Sequence, residues 1–220
     1  MMLGARTAAW SGKALPYREV DYIESLSSDA YFQTEIYPSA DFSYHGKFFI
    51  DLLKNSNVQV LIGCGWGSNG SSFLPAIHPW HPATAATTEI QSRFVWEAKK
   101  IISGIGFGGN EFEIIVTTDS EGLHERIIAN GTEELTADFQ TFLPSQSVIM
   151  PIRFLACGVD TLHVNSLGSR IIGRHTMHSG SVDAEFIPVD DGNGNGCLYE
   201  SVSRTLLRPA AGSFSVFKTT

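Results

Sequence analysis

Alternation with a period of two is the clearest pattern in this chain. Phe112, Ile114 and Val116 alternate with Glu113, Ile115 and Thr117. That is the spacing of a strand with one buried face. A turn at Asp119-Ser120-Glu121-Gly122 leads to a second run, Leu123 to Ala129. Asn130-Gly131 then supplies the residue types of a tight hairpin turn, and Glu134 to Phe142 alternates loosely. The three runs predict an antiparallel meander. Val182, Ala184 and Phe186 face one way, with Asp183 and Glu185 the other. This reads as a half-buried strand that Pro188 ends, because proline lacks a ladder donor.

The remaining chain follows the same grammar. Strands are expected over Val20 to Glu24, Tyr31 to Ile36, Phe42 to Leu53, Val58 to Ile62 and Phe73 to Ile77. More are expected over Ile90 to Ala98, Ser147 to Cys157, Thr161 to Asn165, Ser169 to Met177, Cys197 to Tyr199 and Gly212 to Phe217. Pro151 marks a bulge or the true start of its strand. No stretch of twelve or more residues carries a helical period outside turns. Strands with one apolar face need a second sheet to cover them, about 10 Å away. The chain therefore predicts an all-β sandwich or barrel.

Composition agrees with one large β domain. Of 220 residues, 43% are hydrophobic and 17% charged, enough to fill a core and too little charge for disorder. Residues 1–14 read as an N-terminal arm, either a tail or a segment that docks on a neighbouring subunit. Residues 15–220 read as a single domain. The formal net charge of -8 argues against a general nucleic-acid binder. The N-terminus lacks the apolar run of a signal peptide, and no segment reads as a membrane span. Cys64, Cys157 and Cys197 are too widely spaced for a CxxC metal site. Buried free thiols are the first reading, and one disulfide plus a free thiol the second.

Two segments carry a resemblance. The first is Tyr22-Ile23-Glu24-Ser25 followed by Tyr31-Phe32-Gln33-Thr34. The second is Phe186-Ile187-Pro188, the turn Asp190-Asp191-Gly192, Leu198-Tyr199 and Gly212-Ser213-Phe214. Together they resemble the opening and closing phrases of concanavalin A-like jelly-roll domains of the laminin-G and pentraxin type. Glu35 stands where that family has glycine, and Cys197 and Glu200 also depart from it. The resemblance implies an antiparallel two-sheet jelly-roll sandwich. It also implies attachment to sugars or surfaces, in phage often on tails, fibres or capsid exteriors.

Candidate chemistry lies in the loops. Trp66 in a glycine-rich loop and Trp80 between two prolines present rings that could stack on sugars, with His78 and His81 beside Trp80. Asp190, Asp191 and Asn193 offer oxygen ligands suited to Ca²⁺, in a run that also makes an ordinary turn. His78/His81 and His175/His178 have metal-like spacing, but on a strand residues three apart point to opposite faces. Asp119 with Glu121, or Asp183 with Glu185, have the separation of hydrolase carboxylates. Gly63-Cys64-Gly65-Trp66-Gly67 lacks the serine of a nucleophile elbow.

The expected function is a non-enzymatic attachment module on a virion or cell surface. Its expected partners are copies of itself or other virion or surface proteins, and a glycan. The alternatives are a stand-alone carbohydrate-binding domain, or a glycoside hydrolase or lyase of the same fold. No cofactor is expected beyond the candidate Ca²⁺, and neither nucleic acid nor membrane insertion is expected.

Overall fold

A computed structural model describes residues 15–26, 30–37, 39–52, 60–61, 63–65, 76–78, 87–91, 99–103, 108–139, 153–155 and 170–216. The strands run β1 (Arg18–Glu19), β2 (Tyr22–Ser25), β3 (Tyr31–Gln33), β4 (Phe42–Leu52), β5 (Val60–Leu61) and β6 (Gly63–Gly65). Next come β7 (Ala76–His78), β8 (Thr87–Gln91), β9 (Lys99–Ser103), β10 (Gly108–Asp119), β11 (Gly122–Ala129) and β12 (Thr132–Phe139). The last are β13 (Arg153–Leu155), β14 (Arg170–Ser179), β15 (Val182–Asp190), β16 (Gly196–Glu200), β17 (Thr205–Leu207) and β18 (Phe214–Val216). The all-β reading holds throughout these residues, and all the named pairings are antiparallel.

The main sheet has the order β12-β11-β10-β4-β14-β15-β16-β17. β1 joins this sheet on β15, and β2 joins it on β14 with β18 beyond; a small sheet β3-β13-β6 and a four-stranded sheet β5-β7-β8-β9 complete the described strands. The expected meander is β10-β11-β12. Its second turn has φ of 48° at Asn130 and 79° at Gly131, both positive as a type I′ hairpin requires. Asn130 also caps the opposite strand, because its Oδ1 accepts from the Glu111 N–H at 2.9 Å.

Alternation sorts the residues into two faces. Phe42, Tyr44, Phe48, Phe112, Ile114, Val116, Leu123, Ile127, Ile171 and Met177 point into the core. Phe32 of β3 joins them, and its ring lies 4.7 Å from that of Phe214. β3 thus packs against the inner face of the main sheet. The opening and closing phrases meet directly, with Phe214, Ser215 and Val216 of β18 pairing with Ser25, Glu24 and Ile23 of β2.

β14 is where the sheet forks. Residues 170–172 pair with β2, and residues 175–179 pair with β15 along the same edge. Between them, Gly173, Arg174 and His175 stand opposite the single Gly46 of β4, a bulge with two extra residues. Gly173 takes φ of 61°, which costs glycine little, and donates its N–H to Asp21 O at 2.8 Å. The excess is even, so the in-out alternation survives. His175 fills the space left by Gly46 and His178 faces out, as strand geometry requires of residues three apart.

Several strands differ from expectation. β15 continues through Pro188 to Asp190 instead of ending there. In an antiparallel strand a residue's N and O share one edge. Pro188 O accepts from Val20 N, one residue past the end of β1, so the missing donor faces that thinly paired edge and not β16. β15 is also buried on both faces there. Ile187, Val189, Cys197 and Tyr199 form a second cluster under Leu15, Tyr17 and Leu206. β8 lies at Thr87–Gln91, ahead of the predicted Ile90 to Ala98, and β7 extends to His78. Only Arg153–Leu155 of the predicted Ser147 to Cys157 is a described strand, after Pro151. Residues 1–14 and the predicted strand at 161–165 lie outside the described residues.

Cys197 is a buried free thiol, as expected, and burial pushes its pKa up to about 11. Thiolate is the reactive form. In a Cys64→Ser, Cys157→Ser background, a thiol reagent is expected to leave the native protein unlabelled and to label it after denaturation. Rapid native labelling would contradict the packing of Leu15 and Tyr17 over this cluster.

Candidate functional site

The outer face of the main sheet carries four rows of side chains set by strand register. The first runs Asp138, His124, Thr117, Ser43, His178, Asp183. The second runs Arg126, Ile115, His45, Thr176, Glu185. The third runs Ile128, Glu113, Lys47, Ile172, Tyr22, and the fourth Glu111, Phe49, Arg170, Glu24. Their inward neighbours are the core residues, which is why these side chains face outward.

The first row is closed on itself. His124 sits between Asp138 at 2.7 Å and Asp119 at 3.0 Å. His178 sits between Asp183 at 2.7 Å and Asp41 at 3.2 Å. Hydrogen bonds to these carboxylates hold both imidazoles above their ordinary pKa, Asp138 acting most on His124 and Asp183 most on His178. His124 in turn holds Asp119 below the usual carboxylate range, the wrong direction for a general acid. Glu121 lies in the β10–β11 turn, where its N–H caps Asp119 at 2.7 Å. Glu185 is 3.5 Å from Arg174, which also forks onto both oxygens of Glu19 at 2.7 Å. The four carboxylates considered for hydrolysis thus sit in turns and ion pairs.

The third and fourth rows are different in kind. Arg170 donates through Nε to Glu24 Oε2 at 2.8 Å. Its guanidinium carbon lies 4.7 Å from the ring centroids of both Tyr22 and Phe49, within cation–π range. Lys47 Nζ reaches Glu111 Oε1 at 3.3 Å, and His45 bonds Glu113. Two partly buried rings therefore flank a fixed guanidinium, with carboxylates beside it. Flat apolar surface next to interleaved donors and acceptors is what a sugar ring needs.

The overall likeness is to a Bacteroides ovatus protein described as a "putative carbohydrate binding protein", with TM-score 0.51 over 91% of this chain and 10% identity. The fold is an antiparallel jelly-roll sandwich of the concanavalin A-like kind. This chain spans 61% of that protein's length. A Ruminococcus gnavus IT-sialidase CBM40 bound to alpha2,3 sialyllactose is 14% identical over 70% of this chain and 91% of that one, with TM-score 0.40. An alginate lyase is 14% identical over 60% of this chain and 66% of that one, with TM-score 0.38. No family model matches the chain, and no curated protein matches it.

Of the residues singled out from the sequence, Trp66, Trp80 and His81 lie outside the described residues, and His78 ends β7 with its side chain outside them. The acidic loop is fully visible. Asp190 Oδ1 accepts from the N–H groups of Gly192 at 2.9 Å and Gly194 at 3.0 Å, and Oδ2 accepts from Arg18 at 2.8 Å. Asp191 Oδ1 accepts from the N–H groups of Asn193 at 2.9 Å and Asn195 at 3.3 Å. Its Oδ2 accepts from Asn195 Nδ2 at 3.1 Å and Arg208 at 2.9 Å. These bonds hold both carboxyls low, Arg18 acting most on Asp190 and the Asn195 amide most on Asp191. Ca²⁺ here would have to displace two arginines, and no metal-holding cluster of His, Cys, Asp or Glu occurs among the described residues. Added Ca²⁺ is expected to leave the melting temperature unchanged. A rise of several degrees would return this loop to the list of cation sites.

Sequence reasoning missed Tyr22, Phe49 and Arg170 as a group. One signal was present: Phe48-Phe49 and Ile171-Ile172 each place an apolar side chain where alternation calls for a polar one.

Proposed function

We propose that this chain is a non-catalytic carbohydrate-binding module that takes its ligand on the outer face of the main sheet. The observation that carries this reading is the Tyr22–Arg170–Phe49 group, held by Glu24 and bordered by Lys47 and Glu111. The likeness in fold to a protein described in terms of carbohydrate binding favours this reading over attachment to a phage-like particle. A place outside the cell or on its surface, where polysaccharides lie, suits this role. Ion pairing of the outer-face carboxylates supports binding without turnover.

Affinity electrophoresis through gels containing single polysaccharides tests it, with product release assayed in parallel. Retardation without depolymerisation is the expected result. Depolymerisation would make the chain an enzyme, and free migration through every gel would reject the reading.

A further inference from the structure

We infer that this face selects neutral, hydroxyl-rich sugars and excludes uronates and sialic acids. The inference rests on the reading above, that the outer face binds carbohydrate.

The argument is one of charge already committed. The cations of the two rows that hold the rings are Arg170 and Lys47, and both are paired, with Glu24 and Glu111. Glu113, bonded to His45, adds a third carboxylate. A sugar carboxylate arriving between Tyr22 and Phe49 would meet three glutamates against two cations. Bonded to the free end of Arg170, it would share that cation with Glu24 and stand beside Glu111 and Glu113, so its net gain is small. The chain's formal charge of -8 repels it at longer range.

A hydroxyl behaves differently, because it donates and accepts at once. It can give its proton to Glu24 or Glu111 and receive one from Arg170 or Lys47 without breaking either pair. Arg170 uses only Nε on Glu24. Among the described residues its terminal nitrogens make no further hydrogen bond, and its side chain is 30% exposed. Its fork is fixed in place by the two rings and by Glu24, so little freedom is lost when neighbouring hydroxyls bind.

The test is calorimetry on the full chain. Neutral probes are the hexasaccharides of laminarin, xylan and mannan, and acidic probes are hexamannuronate and sialyllactose. Wild type is compared with Tyr22→Ala, Arg170→Ala and Arg170→Lys, the last keeping the charge but losing the fork. At least one neutral probe is expected to bind about tenfold tighter than either acid, with little dependence on salt. Tyr22→Ala and Arg170→Ala are each expected to weaken it about tenfold, and Arg170→Lys to weaken it with an unchanged melting temperature. Tighter binding of an acid, lost in Arg170→Ala, would overturn the selectivity and leave the binding face standing. Neutral binding unchanged in all three variants would overturn the location. No binding to any probe would remove the proposed function itself.

Discussion

Gly46→Ala is expected to remove a large part of the fold's stability. A Cβ at position 46 would lie 2.3 Å from Tyr44 Oη, 2.6 Å from His175 Nδ1 and 2.8 Å from Tyr44 Cζ. Neither side chain has room to retreat, since both are 1% exposed within the core. They are also bonded to each other, Tyr44 Oη to His175 Nδ1 at 2.9 Å. His175 Nε2 lies 2.9 Å from Lys47 O and 3.2 Å from Lys47 N, so the ring is held through both nitrogens, by the Lys47 backbone and by Tyr44. Overpacking alone costs about 1–3 kcal/mol. Separating a buried hydrogen-bonded pair adds about 1–3 kcal/mol, against a total stability of roughly 5–15 kcal/mol. Urea denaturation measures the loss. Tyr44→Phe in the Gly46→Ala background removes the nearest clashing atom, and is expected to restore part of the stability. Strict additivity of the two changes would contradict the contact.

The second large effect is acid sensitivity from the same pair. Burial pushes His175 down to about 4 from an ordinary 6.5, with the Lys47 and Ile172 backbone bonds opposing the shift in part. The unfolded chain takes up this proton near pH 6.5, and the folded chain only near pH 4. Between those values the unfolded state holds more protons, so stability rises with pH. The contribution is complete above pH 6.5 and is lost as pH falls toward 4. Its size is about 3 kcal/mol. His124 and His178 run the other way, since their raised values stabilise below pH 6.5 and the benefit fades as pH rises through their folded values. Their carboxylate partners Asp138 and Asp183 are exposed to water, so their contribution is minor. Urea midpoints are expected to fall from neutral pH to about 4.5 in the wild type. His175→Gln, which cannot titrate, is expected to flatten that fall. Parallel profiles would show that another group drives it.

The fold was legible wherever alternation was unbroken. Phe112 to Thr117 and Val182 to Phe186 gave their faces correctly, and Asn130-Gly131 gave its turn. The opening and closing phrases were legible through the resemblance, not through periodicity, and their pairing as β2 and β18 is a finding of the structure. What stayed hidden depends on partners distant in sequence. Nothing near Pro188 reveals that its missing donor faces the thinly paired edge beside Val20. The bulge at residues 173–175 is legible only against Gly46, well over a hundred residues earlier. The candidate site is hidden for the same reason. Tyr22, Phe49 and Arg170 come from three separated strands, and only their register makes them neighbours. Loop tryptophans and an acidic turn are more conspicuous in the sequence, yet the four carboxylate oxygens of that turn are satisfied by its own amides and two arginines.

The proposed ligand is a sugar lying across β4, β14 and β2. Amide chemical-shift mapping of the labelled full chain, titrated with the neutral hexasaccharides, tests it most directly. The predicted result is a set of shifts confined to residues 22–24, 47–49, 111–113 and 170–172. Shifts gathered instead at the hairpin ends or in residues 53–107, with those four segments still, would contradict it.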